Sequence, residues 1–239
     1  MEQAYERPFV TVDAVVLALR DDRLHVLLAK RAQESEFAPG RWALPGGFIH
    51  TNEDATDEDA IVRVLRSKAG ISPRHMEQLK TFASSQRDSR GWSVSISYIV
   101  IVDHDEERVA GEGVDEIRYF PVDECPDMPF DHQQIIQAAV ERVRNKASYS
   151  SLPTFFLPEN FTLPQMQKVY ETVMGMKLNT PAFRRKVADQ GLVEKTDLDE
   201  GEMRRSVGRP AQYYRLAQSH IQDMGRAVMT PDTRRGGPR

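Results

Sequence analysis

The sequence predicts an α+β protein of two domains, and three features of its pattern lead to that prediction. From Phe9 to Gly70 the apolar residues alternate as in strands and then follow the spacing of an amphipathic helix. After residue 153 short helices with clear start and stop residues dominate. The charge divides at the same place, because residues 1–150 carry a net charge of −8 and residues 151–239 carry +4. Opposite charge and different patterning favour two domains with two tasks.

Length and composition exclude several classes of protein. The chain has 239 residues, of which 40% are hydrophobic and 28% charged, as in ordinary globular proteins. The longest apolar run near the N-terminus, 14–19, is far below the ~20 residues of a transmembrane helix. The first residues lack the basic and apolar regions of a signal peptide. A single cysteine, Cys125, excludes an intrachain disulfide and a multi-cysteine zinc site. We expect a cytoplasmic protein without a membrane partner.

The first domain is predicted to cover residues 1–147. Two strands surround a turn at 20–23, a helix covers 59–69, an apolar strand covers 93–102 and a second helix covers 131–146. Residues 148–153, with Pro153, indicate a linker.

The second domain is predicted to cover residues 154–218. Thr162 and Gln165 form a capping box, Gly175 ends that helix, and a second helix begins near Pro181. Two short strands around a basic loop follow. This order is typical of a winged helix-turn-helix. The tail, 219–239, is expected to be flexible.

The strongest local motif lies between Trp42 and Ile71. It resembles the box of the Nudix family, G-x5-E-x7-R-E-U-x-E-E-x-G-U, where U is a bulky aliphatic residue. The matching residues are Gly47, Glu53, Arg63, Leu65, Gly70 and Ile71. The resemblance implies a Nudix-fold α/β/α sandwich for the first domain.

The chain departs from this motif at the metal-binding positions. Nine residues rather than seven separate Glu53 from Arg63, and the positions of the family's metal-binding glutamates hold Val64, Ser67 and Lys68. Since Mg²⁺ prefers hard oxygen ligands, a lysine there would repel it. The sequence therefore predicts no metal, no required cofactor and a catalytically inactive site.

Two alternatives would preserve a function at this place. An acidic cluster could hold a displaced metal, although a solvated helix N-terminus is the simpler interpretation; its members are Glu53, Asp54, Asp57, Glu58 and Asp59. Lys68 could instead be a built-in cation that pairs with Glu53 or with a diphosphate, or an ordinary surface lysine. The competing functional hypothesis is an active Nudix hydrolase of ADP-ribose or a dinucleotide, with an accessory C-terminal domain.

A cleft that has lost hydrolysis can still bind a nucleotide diphosphate. Arginines would contact phosphates and aromatic rings would stack on a base. The candidate effector-binding residues are Arg31, Arg41, Trp42, Gly46, Gly47, Phe48, Glu53, Lys68, Arg87 and Arg90. His50 and His132 are expected to be structural or surface residues.

The second domain carries a basic helix and a basic loop. If Phe183 and Val187 form the buried face, Arg185 points to the opposite side. Such residues contact base edges and phosphates when a recognition helix lies in the major groove. The candidate DNA-binding residues are Lys177, Thr180, Arg184, Arg185, Lys186, Arg204, Arg205 and Arg209.

Both domains together resemble the NrtR family of Nudix-related transcriptional regulators. The resemblance covers residues 8–217 and includes the nine-residue spacing and the segments 170–175, 179–186, 191–194 and 208–215. It implies a homodimeric bacterial repressor of NAD biosynthesis or salvage genes that binds a palindromic double-stranded operator. The resemblance also implies release from DNA when ADP-ribose or a related nucleotide fills the cleft.

Overall fold

The computed structural model describes residues 7–102, 108–196, 212–218 and 220–224. They form two compact units, one running to Glu141 and one beginning at Arg142, with the turn Asp21–Arg23 grouped with the second. Within these ranges no helix is long and apolar enough to span a bilayer. The mixture of helices and strands confirms the predicted α+β class.

The first unit is built around a seven-stranded sheet. Its elements are β1 (Phe9–Arg20), β2 (Arg23–Arg31), β3 (Trp42–Ala43), β4 (Gly46–Phe48), α1 (Asp57–Ala69), β5 (His75–Ser84), β6 (Ser93–Ile101), β7 (Val114–Pro121) and α2 (His132–Ala147), whose last turns lie beyond the unit boundary.

The order of the main strands is β3-β2-β1-β6-β5, with β4 paired to β1 and β7 paired to β2. β1 and β6 run parallel, whereas β4 is antiparallel to β1 and β7 is antiparallel to β2. Asp21 and Asp22, between β1 and β2, have positive φ angles of 47° and 58°. A two-residue hairpin loop of type I′ requires a positive φ angle at both of its residues, so these two residues form the turn that was predicted at 20–23.

Helix α1 packs on this sheet through one apolar stripe. The helix starts at Asp57, two residues before the predicted start at 59, and a capping box between Thr56 and Asp59 closes its N-terminus. It ends at Gly70, which has a φ angle of 61°. Ile61, Val64 and Leu65 are buried in a core that includes residues of β1 and β6. Burial of each such side chain contributes roughly 1.5–3 kcal/mol.

The second unit has the predicted order of a winged helix-turn-helix. After a 3₁₀ helix (Leu152–Phe156) come β8 (Phe161–Thr162), α3 (Leu163–Met174), α4 (Thr180–Asp189), β9 (Val193–Lys195) and β10 (Tyr213–Leu216). The three strands form one sheet in the order β8-β10-β9. Tyr170 of α3 and Phe183 of α4 meet edge to face, with ring centroids 5.5 Å apart.

Two segments differ from the sequence prediction. In the predicted linker, 148–153, Leu152 is buried within the 3₁₀ helix, and the Tyr170 hydroxyl donates to the Ser150 carbonyl over 3.1 Å. In the predicted flexible tail, residues 220–224 are packed: the Met224 side chain is buried, and its N–H donates to the Tyr149 carbonyl over 2.7 Å. For the tail the reason is that Met224 belongs to the apolar core of this small unit, which has few residues of its own to bury.

Candidate functional site

A cavity of about 150 Å³ opens in the first unit, next to α1 and β4. It lies where β1, the end of β2, β4, the last turn of α1, the loop between β5 and β6, and the start of α2 converge. Its lining consists of Thr11, Asp13, Arg31, Leu44, Gly46, Gly47, Phe48, Lys68, Arg87, Asp88, Arg90, Phe130 and His132.

The buried carboxylate of Asp13 forms one wall of this cavity. The Ser95 hydroxyl donates to its Oδ2 over 2.5 Å, and Nε2 of His132 lies 3.6 Å from its Oδ1. Gly46 passes so close that a Cβ there would lie 1.9 Å from Asp13 Oδ1. Only glycine therefore fits at position 46, directly before the first glycine of the motif, Gly47.

Arg87 is buried, and its guanidinium is hydrogen-bonded to other side chains of the protein. Nε and Nη2 donate to the two oxygens of Asp131 over 3.0 and 2.9 Å, and Nη1 donates to the Ser93 hydroxyl over 3.2 Å. Asp13 lies a further 3.6 Å away. These contacts make Arg87 a fixed part of the wall, with few donors left for a ligand.

Arg90 lies near the mouth of the cavity among aromatic rings. It forms a bidentate ion pair with Asp88, and its guanidinium carbon lies 4.7 Å from the ring centroid of Phe37 and 5.0 Å from that of Phe48. Such contacts orient a guanidinium over apolar rings. The Arg90 hydrogen bonds hold the pKa of Asp88 below its usual range, against the opposing effect of burial.

Arg31 and Lys68 are the cavity cations that no carboxylate pairs with in the described residues. Arg31 donates from Nε to the Phe37 carbonyl over 2.8 Å, and its Nη groups have no partner in the part of the chain that the structure describes. Lys68 has no hydrogen-bond or ion-pair partner among the same residues. Burial lowers the pKa of both groups, and the positive charge of Arg31 lowers that of Lys68 further. This corner of the cavity therefore favours an anion.

His132, the first residue of α2, is buried at the cavity. Its Nδ1 accepts the Leu44 N–H over 3.0 Å, which leaves Nε2 as the protonated nitrogen facing Asp13. Burial lowers the pKa of His132, and Asp13 and Asp131 oppose that shift. The neutral imidazole is thus the form that the fold holds.

The structure places seven of the ten predicted effector-binding residues on the cavity: Arg31, Gly46, Gly47, Phe48, Lys68, Arg87 and Arg90. The other three lie elsewhere. Arg41 pairs with Asp127, Trp42 packs edge to face on Phe120 with centroids 5.0 Å apart, and Glu53 lies beside His50. These three side chains are held by neighbours outside the cavity lining.

Sequence reasoning missed Asp13, Asp88 and His132 as cavity residues. His132 was expected to be a structural or surface residue; it is buried, it accepts the Leu44 N–H as a structural residue would, and it also lines the cavity. Asp13 gave one signal, since it is an isolated carboxylate within the otherwise apolar run of β1. Such a buried charge needs partners, which here come from distant parts of the chain.

The site does not fit the divalent cation that a Nudix motif implies. Val64 is buried in the core, the Ser67 hydroxyl donates to the Val64 carbonyl over 3.4 Å, and Lys68 brings an ammonium to the cavity. Across the described ranges no group of three His, Cys, Asp or Glu side chains could hold a metal ion.

Four of the five residues of the acidic cluster before and at the start of α1 have contacts of their own, and Glu58 is exposed. Asp54 was expected to be solvated, but its side chain is 2% exposed and accepts from Nε and Nη2 of Arg63 over 2.8 and 2.7 Å. These bonds lower the Asp54 pKa to about 2. Asp57 accepts from the Tyr98 hydroxyl over 2.6 Å.

The exposed face of α4 carries the basic residues of the second candidate site. Phe183 and Val187 are buried, as predicted, and Arg184 and Arg185 are exposed without a partner among the described residues. Lys186 differs from the prediction, because its Nζ is buried and lacks a hydrogen-bond partner in the ranges described.

Two further predicted DNA-binding residues have contacts of their own. Lys177 is exposed and pairs with Glu171 over 2.7 Å, and the Thr180 hydroxyl accepts from Gln167 over 3.0 Å. Arg204, Arg205 and Arg209 lie outside the described residues.

Comparison with known proteins assigns the two units. Residues 10–139 match the NUDIX domain, and residues 153–216 match the NrtR DNA-binding winged helix domain. The ADPR responsive transcriptional repressor NtrR of Acinetobacter baylyi is 32% identical over 215 residues, which cover 89% of this chain and 84% of that protein. The chain belongs to the NrtR family.

Solved structures agree with the NrtR assignment. Shewanella oneidensis NrtR complexed with a 27mer DNA is 35% identical, with a TM-score of 0.78 over 93% of this chain and 98% of that one. Its NUDIX domain complexed with ADP ribose is 34% identical, with a TM-score of 0.53 over 58% of this chain and 90% of that one.

An enzyme is also similar to the first unit in sequence. The ADP-ribose pyrophosphatase of Methanocaldococcus jannaschii is 35% identical over 56% of this chain and 73% of its own length.

The buried neutral His132 predicts how the stability of this NrtR-family protein depends on pH. An unfolded histidine takes up a proton below about pH 6.5, whereas the folded state resists protonation of His132. Protons therefore favour the unfolded chain, and the free energy of unfolding should fall between pH 7 and pH 5. This one group contributes at most about 1.4 kcal/mol per pH unit.

Denaturant unfolding at several pH values measures this effect. His132→Asn keeps an acceptor for the Leu44 N–H and should reduce the loss of stability at low pH. His220→Asn removes an exposed histidine and is the matched control. Identical pH profiles for His132→Asn and the parent protein would contradict the assignment.

Proposed function

We propose that this NrtR-family protein is a bacterial transcriptional repressor of NAD biosynthesis or salvage genes. The winged helix binds the operator, and the Nudix cavity binds ADP-ribose or a related nucleotide as effector. The A. baylyi relative, described as an ADPR responsive repressor, supports this proposal, as do the S. oneidensis structures with DNA and with ADP ribose. The gene class follows from the family resemblance.

The observation that carries the effector proposal is the uncommitted cation pair of Arg31 and Lys68 in the cavity. A diphosphate supplies the anionic charge that these two side chains need. A cavity of about 150 Å³ is the size that holds a single small ring compound such as benzene, too little for the whole of ADP-ribose. The diphosphate therefore lies inside, and the rest of the effector contacts the rim, where Phe48 is 39% exposed.

The DNA proposal depends on α4. Arg184 and Arg185 lie on its exposed face and have no carboxylate partner among the described residues, so that their guanidinium groups are available to phosphates and base edges. From the family resemblance we also propose that the protein acts as a homodimer. The two recognition helices of such a dimer would bind two matching half-sites, so the operator would be palindromic.

Loss of hydrolysis is part of the same proposal. The motif's glutamate positions hold Val64, Ser67 and Lys68. The two carboxylates that line the cavity, Asp13 and Asp88, are already bonded to Ser95 and to Arg90, so among the described residues no set of free carboxylates is left there to hold and position Mg²⁺. The competing function is hydrolysis of ADP-ribose, which the likeness to the M. jannaschii ADP-ribose pyrophosphatase favours.

We expect no turnover of ADP-ribose by this protein with Mg²⁺ or Mn²⁺, because the cation has no competent site. Chromatographic detection of AMP measures the reaction, with the M. jannaschii pyrophosphatase as positive control. Turnover near 1 s⁻¹, ordinary for enzymes, would favour the hydrolase instead.

We expect ADP-ribose to weaken binding of the protein to the DNA upstream of its own operon. An effector can do this only if it binds the DNA-incompetent arrangement more tightly, and DNA must then weaken ADP-ribose binding by the same factor. Electrophoretic shifts at increasing ADP-ribose and calorimetry with and without DNA measure both factors. The linkage would be contradicted if ADP-ribose left the electrophoretic shift of the DNA unchanged. It would also be contradicted if the factor by which ADP-ribose weakens DNA binding differed from the factor by which DNA weakens ADP-ribose binding.

The exposed face of α4 predicts that Arg185→Ala weakens operator binding by about 1–3 kcal/mol if Arg185 contacts a base. Fluorescence anisotropy with labelled operator DNA measures the change. Arg66→Ala removes an exposed charge from α1 and is the control, for which we expect no change. If both variants bind the operator as tightly as the parent protein does, α4 is not the recognition helix.

A further inference from the structure

The helix α1 presents an altered metal-binding face to the cavity. In the motif that this chain resembles, three glutamates on that face bind the cation. Here Val64 has turned into the core, where a Cβ on Gly47 would lie 3.1 Å from its Cγ2, and Ser67 bonds back to the helix. Lys68 is the residue of the three that still lines the cavity.

The backbone around Lys68 is fixed by a second segment. The N–H groups of Gly111 and Glu112 donate to the carbonyls of Lys68 and Ser67, each over 3.0 Å. A Cβ at Gly111 would lie 1.9 Å from the Ser67 oxygen, so this close approach requires glycine. The last turn of α1 is thereby held in place, and with it the start of the Lys68 side chain.

The charge of Lys68 has no direct counterpart within the described ranges. The attraction of Asp13 and Glu112 opposes the lowering of the Lys68 pKa by burial and by Arg31, yet neither carboxylate forms an ion pair with it. A half-buried ammonium without a partner costs free energy. An anion that enters the cavity removes this cost.

We propose that the Lys68 ammonium replaces the divalent cation of the Nudix site and, with Arg31, binds the diphosphate of the effector directly. The two side chains together supply two positive charges, the same number as Mg²⁺. This inference rests on the proposed function, since it names how that effector is held. Effector binding then needs no metal, and a lysine binds phosphate oxygens as a point charge.

Calorimetry of the full chain with ADP-ribose, in EDTA and in millimolar Mg²⁺, tests this proposal. We expect equal affinity in the two buffers. Binding that requires Mg²⁺ would overturn the proposal, because the cation would then do what is assigned to Lys68.

Three variants separate the charge of Lys68 from its bulk. Lys68→Met should weaken ADP-ribose binding at least about 10-fold in both buffers, since it removes a hydrogen-bonded charge. Lys68→Glu should bind weakly in EDTA and regain affinity in Mg²⁺, because Mg²⁺ commonly binds through a carboxylate plus ligand phosphates. Arg66→Met, an exposed position on the same helix, should bind as the parent does.

A stability measurement excludes general damage as the cause. Removing an unpaired, half-buried charge should raise the thermal midpoint of the ligand-free Lys68→Met protein while its affinity falls. Lys68→Met that binds like Arg66→Met, or Lys68→Glu whose affinity does not depend on Mg²⁺, would overturn the proposal.

Inorganic pyrophosphate distinguishes this inference from the proposed function. If the parent binds pyrophosphate in EDTA and Lys68→Met binds it at least about 10-fold more weakly, the role of Lys68 stands even where ADP-ribose does not bind. In that case the identity of the effector is wrong. If the parent binds neither pyrophosphate nor ADP-ribose, both proposals fail.

Discussion

The buried carboxylate of Asp13 holds the cavity together, because separate parts of the chain meet at its two oxygens. Ser95 of β6 donates to it, Arg87 and His132 each lie 3.6 Å away, and Gly46 of β4 approaches closely enough to exclude a side chain. An unpaired charge in this position would cost several kcal/mol. The need to satisfy this one group therefore fixes β4, the loop between β5 and β6, and the start of α2 around β1.

The same arrangement decides which cations can bind a ligand. Asp131 and Asp88 neutralise Arg87 and Arg90 and hold them rigidly, so these arginines shape the walls. Arg31 and Lys68 lie in the same cavity without such carboxylate partners in the described residues. A site whose walls are already ordered loses little entropy when an anion enters, which favours affinity for the effector.

The fold of the Nudix unit is independent of the chemistry that its motif supports elsewhere. Helix α1 keeps its capping box, its terminal glycine and its apolar stripe, and these depend on Thr56, Asp59, Gly70 and the buried aliphatic residues. The metal-binding positions include one residue of that stripe, Val64, and two on its edge. Changes there alter the cavity without removing what stabilises the helix, so the fold by itself does not fix the chemistry of the cavity.

Elements whose signals are local could be predicted from the sequence by itself. The hairpin turn at 21–22 and the helices α1, α3 and α4 follow from spacing, caps and glycine positions within a few residues. The exposed face of α4 follows from the same helical period. The degenerate motif and the resemblance to the NrtR family likewise needed only the residues themselves.

Only the tertiary structure decided which side chains share the cavity. Asp13, Arg87 and Asp131 are far apart in the chain, and no local period relates them. Trp42 is the type of residue that stacks on a ligand's base, but in the fold its ring packs edge to face on the ring of Phe120. Residues 148–153 have the composition of a linker, but Tyr170 binds the Ser150 carbonyl. The physical reason is common to all three: burial and charge pairing depend on partners from distant segments, which spacing along the chain does not reveal.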